Sequence, residues 1–144
     1  ENMSEVFTEV DAYARGVYAG YVNAGLEEAL PFKGVGENYI RFAAERPKLF
    51  ALLFMKEKER IPDAHGVLED IEDSYEKILN SIQNSYGLDE ATAEKLYLHI
   101  WIYSHGVAVL LATKVCAFTE REISEMLTTV FSSLLVRAKK GELQ

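Results

Sequence analysis

The chain has a single cysteine, Cys116, among 144 residues, so no intrachain disulfide can staple it and the fold must rest on a hydrophobic core. A chain of this length can bury such a core as one domain, residues 1–144. No segment alternates apolar and polar residues for long enough to compete with helical spacing, which excludes a sheet-based fold. Internal repeats and low-complexity stretches are missing too. A basic patch is also lacking: 15 Lys and Arg are dispersed against 23 Asp and Glu, and the formal net charge of −8 repels phosphate backbones. Nothing at the start follows the basic, apolar, small-residue order of a secretory signal, so the expected location is cytoplasmic. The sequence opens at Glu1 on what reads as the inside of a helix, and the expectation is that it continues from something upstream.

Catalytic and metal-binding constellations are equally scarce. His99 and His105 are six apart, about 240° around a helix, and cannot share one metal. Ser104 and His105 are neighbours whose side chains point about 100° apart. Cys116 has only Lys114 nearby to lower its pKa, too little for a redox switch. No cofactor, metal or enzymatic activity is therefore expected. The acidic run Glu69, Asp70, Glu72 and Asp73 falls opposite the apolar Val67, Leu68, Ile71 and Tyr75, and is read as a solvated helix face.

What is present is helical periodicity throughout, and the fold class is all-α with about six helices. Met3, Val6, Phe7, Val10, Ala14, Val17, Tyr18 and Tyr21 make the stripe of a first helix ending near Asn23 to Gly25. Pro31 opens a second, in which Phe32, Val35, Tyr39, Phe42 and Ala43 share a face up to Arg46. Gly34 and Gly36 weaken its start by about 1 kcal/mol each. Pro47 starts a short third helix, apolar at nearly every position and expected to be buried. Lys56 to Asp63 reads as a mobile loop. Val67, Leu68, Ile71, Tyr75, Ile78, Leu79 and Ile82 form the stripe of a fourth helix, closed by Gly87. Asp89 caps the fifth, which extends to about Lys114. Thr119 and Glu122 make a capping box for the sixth.

The fifth helix carries the run from Leu96 to Thr113, which has no formal charge and whose apolar residues point in every direction. Such a helix must be covered on all sides. Its length is borderline for a bilayer span, yet His99, Ser104, His105 and Gly106 sit at its middle, so the cover is expected to be protein and not membrane. Its neighbour, the last helix, carries a stripe two residues broad: Ile123, Met126, Leu127, Val130, Phe131, Leu134 and Leu135. Two copies of this helix pair would close a four-helix bundle, making the chain a homodimer with Ile100, Val107, Leu111, Ile123, Leu127, Val130, Phe131 and Leu134 at the junction. Trp101 and His105, four apart on one face, either line a cavity together or fill the core.

The segment Tyr39-Ile-Arg-Phe42-Ala-Ala-Glu-Arg-Pro47-Lys-Leu49-Phe50-Ala-Leu-Leu-Phe54, followed by Trp101-x-x-x-His105-Gly106 and a capped terminal helix, resembles the C-terminal ligand-binding and dimerisation domain of TetR-family transcriptional regulators. The resemblance covers nearly the whole chain. It implies an inducer pocket for a small apolar effector, with Phe42, Phe50, Leu53, Phe54, Tyr75 and Ile78 as candidate walls beside Trp101 and His105. It also implies that the last two helices form the dimer bundle, and that operator DNA is met only through an N-terminal helix-turn-helix unit missing from these residues. The two early glycines of the second helix and the length of the loop after Met55 depart from the family pattern and leave the pocket's shape open. A stand-alone dimeric adaptor binding another protein is the alternative that the same patterns allow.

Overall fold

Proline places two of the helix starts. In the computed structural model, which describes the backbone of residues 3–144 and the side chains of residues 8–144, α1 spans Met3–Leu26, α2 Pro31–Glu45 and α3 Pro47–Phe54. Pro31 and Pro47 each occupy the first turn of their helix, where the missing N–H has no intrahelical acceptor to lose. Then follow α4 (Val67–Ile71), α5 (Tyr75–Tyr86), α6 (Glu90–Ala112) and α7 (Glu120–Lys139). No strand occurs among the described residues, and none of their helices is long and apolar enough to cross a membrane. The side chains of Met3, Val6 and Phe7, expected on the first helix's stripe, lie outside those described.

The local signals act as their chemistry requires. The Asp89 carboxylate accepts the Thr92 N–H at 2.8 Å and starts α6. Thr119 and Glu122 exchange both bonds of a capping box at the head of α7. Gly87, at φ 64°, closes α5 in the left-handed conformation.

Among the described residues seven helices stand where about six are expected, because the stripe from Val67 to Ile82 is broken. Glu72 leaves helical geometry for an extended conformation (φ −114°, ψ 105°), and α5 restarts at Tyr75. The break turns the Glu72 side chain inward, where it is only 7 % exposed. The solvated acidic face expected for this segment therefore holds for Glu69, Asp70 and Asp73 and fails for Glu72.

The centre of the core is α2, which packs against α1 on one side and α6 on the other. It buries Ile40 and Asn38 as well as Phe32, Val35, Tyr39, Phe42 and Ala43. Gly34 meets the end of α1 at Gly25 so closely that a Cβ on Gly34 would stand 2.3 Å from the Gly25 carbonyl oxygen. That glycine, costly to an isolated helix, is what lets α1 and α2 touch. The third helix is less enclosed than its composition suggests: only Phe50 is buried, while Leu49, Leu52, Leu53 and Phe54 are half-buried.

Within the single chain α6 is not covered on every side. Ile100, Ser104, Val107 and Ala108 face the core, whereas Ile102 is 55 % and Leu110 is 38 % exposed, with Gly106 open between them. Sequence periodicity assigned the outward role to Ile100 and Val107. The structure buries both under their own chain, because an all-apolar helix gives no signal for which side meets α2.

Candidate functional site: an aromatic cavity around Glu72

Helix α2 carries Phe32, Val35, Gly36 and Tyr39 along one face, and α6 brings Tyr97, Ile100, Trp101 and Ser104 opposite. Tyr18 of α1 and Glu72 at the α4–α5 break complete the enclosure. The cavity measures about 20 Å³, room for one water-sized group. Nine of its ten wall residues are buried and Trp101 alone is half-buried, so of the wall the indole meets solvent most.

The walls are mostly aromatic, yet two of the residues among them, Glu72 and Ser104, are polar and buried. Tyr18 donates its hydroxyl to Glu72 Oε1, and the Ser74 N–H donates to Glu72 Oε2 at 3.2 Å. No Lys, Arg or His among the described residues forms an ion pair with Glu72. Burial pushes its carboxyl above the usual range, against the opposing pull of the Tyr18 and Ser74 hydrogen bonds. Burial, with the Glu72 charge next in order, holds the Tyr18 phenol well above its ordinary value and so keeps it a donor. The Ser104 hydroxyl, 2 % exposed, has no hydrogen-bond partner.

A second aromatic layer backs the first. The Trp101 and His105 rings stack with centroids 4.9 Å apart, and Tyr39 Oη lies 2.8 Å from His105 Nδ1. Burial lowers the His105 pKa, so the ring is neutral and its Nδ1 can accept the Tyr39 proton. The partner of His105 is thus a phenol of α2. Phe50 and Phe54 pack on Tyr39 at 5.5 and 5.1 Å, and Phe54 also reaches Tyr18 at 4.9 Å. Tyr75 stacks on Tyr97 at 5.7 Å.

Of the residues the sequence singles out for a pocket, Trp101 lies in the wall. His105, Phe50, Phe54 and Tyr75 touch wall residues, and Phe42 contacts Tyr18 and Phe54 from within the core. Ile78 is fully buried and Leu53 half-buried, both outside the wall. Sequence reasoning missed Tyr18, Tyr39, Tyr97, Glu72 and Ser104 as a group. Tyr39 was legible as an inward face residue, but nothing in the pattern distinguished a cavity wall from packed core.

Among the residues expected at a junction, Leu127 is buried, and Leu111, Ile123, Val130, Phe131 and Leu134 are half-buried. Phe131 turns inward to Phe32 and Tyr86. Leu111 and Ile123 line a separate hollow of about 560 Å³, beside the α6–α7 connection and apart from the aromatic cavity. The Arg41–Glu120 ion pair, at 3.1 Å, stands on its wall. Among the described residues no group of His, Cys, Asp or Glu could hold a metal ion.

This arrangement of helices has a family counterpart. The family described as Tetracyclin repressor-like, C-terminal domain, matches residues 32–134, and the chain belongs to it. It is thus a regulator domain of the TetR type, in a family that is regulatory and not enzymatic. Neither a curated protein nor a solved structure matches the chain.

Proposed function

We propose that this chain is the effector-sensing and dimerisation domain of a bacterial, cytoplasmic TetR-like repressor, and that a small, largely apolar molecule entering at Trp101 is its signal. The observation that carries the reading is Tyr18: it belongs to α1, yet its side chain forms part of the cavity wall. In this reading α1 joins the domain to a helix-turn-helix unit outside the present residues. A ligand that prefers one position of Tyr18 then shifts the population of α1 placements. Paired recognition helices must meet half-sites about 34 Å apart, so a small tilt of α1 is enough to weaken operator binding.

The partner in this reading is a second copy of the chain. Ile102, Leu110 and the half-buried Ile123, Met126, Val130 and Leu134 of α6 and α7 supply the apolar face that two copies would cover. Native mass spectrometry of the purified chain tests both parts together. The expected result is a dimer that releases a small molecule on denaturation. A monomer that carries nothing would overturn the reading, and a dimer that is always empty and captures a protein partner would favour the adaptor.

A further inference from the structure

We propose that the aromatic cavity takes a lipophilic primary amine, whose ammonium group sits against Glu72 and Ser104 while its apolar part leaves past Trp101. The inference rests on the sensing role proposed above and names the chemistry of its ligand.

Three independent observations converge. Glu72 is a buried carboxylate without a cation: Tyr18 and Ser74 satisfy one acceptor position on each oxygen, and a carboxylate has about four. Arg15, which pairs with the adjacent Asp73, is committed to Asp11 and Asp73, each at 2.8 Å. Burying a carboxylate costs desolvation that no cation of the chain offsets here, so a buried acid left in this state points to a ligand that supplies one. Ser104 Oγ adds a second unpartnered acceptor in the same wall. Finally, Tyr18, Tyr39, Tyr97 and Trp101 all line the space, and aromatic rings attract cations through their quadrupoles.

Size selects among cations. The space admits one water-sized group, which matches an –NH₃⁺ and is too small for a trimethylammonium without rearrangement. An ammonium also offers three donors, enough for the free Glu72 lone pairs and the Ser104 oxygen together. The chain's net charge of −8 concentrates cations at its surface and favours their entry over that of anions.

The test is calorimetric titration of the full chain with 4-phenylbutylamine and with its neutral counterpart 4-phenylbutanol at pH 7. The amine should bind at least about tenfold more tightly, the factor one charge-assisted hydrogen bond supplies. Glu72→Gln, which retains an acceptor for Tyr18, should erase that preference while leaving alcohol binding unchanged. Ser104→Ala should raise the melting temperature of the empty chain and weaken the amine, a combination that a purely structural serine would not give. Equal binding of amine and alcohol to the wild-type chain would overturn the amine inference and leave apolar sensing intact. Absence of binding by both, with an empty native mass spectrum, would overturn both proposals.

Discussion

Tyr18 and Glu72 are 54 residues apart in sequence, and a buried hydrogen bond between them ties α1 to the break between α4 and α5. One turn earlier on the same face of α1, Arg15 holds Asp73 at 2.8 Å. Two adjacent residues of the break are thus each held by α1. The Arg15 pair is exposed and contributes little, whereas the Tyr18 bond is desolvated and its loss leaves a buried charge short of a donor.

Tyr18→Phe should therefore destabilise the chain by about 1–3 kcal/mol, while Arg15→Ala should change stability by less than about 1 kcal/mol. Urea denaturation followed by circular dichroism measures both. Equal effects would mean that the ion pair, and not the buried bond, anchors α1.

Half-buried His105 and buried Glu72 give stability opposite dependences on pH. His105 has a folded pKa below its unfolded value of 6.5, so the unfolded chain takes up a proton that the folded chain refuses, and stability falls as pH drops below 6.5. Glu72 has a folded pKa above its unfolded value of 4.5, so the folded chain keeps a proton the unfolded one has released, and stability falls as pH rises from 4.5 through the raised value. His105→Gln should flatten the first slope and Glu72→Gln the second in urea midpoints taken from pH 4 to pH 8. Curves parallel to wild type would contradict these assignments.

The two glycines early in α2 should respond in opposite directions. Gly34→Ala puts a Cβ 2.3 Å from the Gly25 carbonyl oxygen and must push α1 away, lowering the melting temperature. Gly36→Ala meets only ordinary contacts, Leu127 at 3.6 Å and Ser104 Oγ at 3.8 Å, and should gain up to about 1 kcal/mol from helix propensity. It also narrows the cavity, so the gain in stability should come with weaker binding of the amine probe.

Charge placed on α6 separates core from junction. Ile102→Glu and Leu110→Glu should give folded monomers in sedimentation velocity, because both side chains are exposed in the single chain. Ile100→Glu should unfold the chain, since that residue is 5 % exposed and would carry an unpaired charge into the core. A dimer that survives both outward substitutions would place the junction elsewhere.

Much of the fold was legible because helix signals are local. Pro31, Pro47, Gly87, Asp89 and the Thr119–Glu122 pair each act within a turn of chain, and each stands where the sequence places it. The break at Glu72 was hidden, because the apolar spacing from Val67 to Ile82 runs through it in step and the inward turn depends on Tyr18, far away in sequence. The outward side of α6 was hidden for another reason. A helix apolar all round can be rotated without changing its pattern, and only the docking of α2 decides that Ile100 goes in and Ile102 stays out. The site shared both difficulties: its polar members come from four separate segments, and each alone reads as a core aromatic, a surface acid or, for Ser104, a small helix residue.

The measurement that bears most directly on the coupling of cavity to α1 is hydrogen exchange of the chain with and without saturating 4-phenylbutylamine. Occupation of Glu72 by the ammonium should slow exchange across Tyr97 to Ser104 and speed it across Ala14 to Val22, as Tyr18 comes to share its acceptor with the ligand. Unchanged exchange in α1, with protection confined to the hollow between Leu111 and Ile123, would contradict the account.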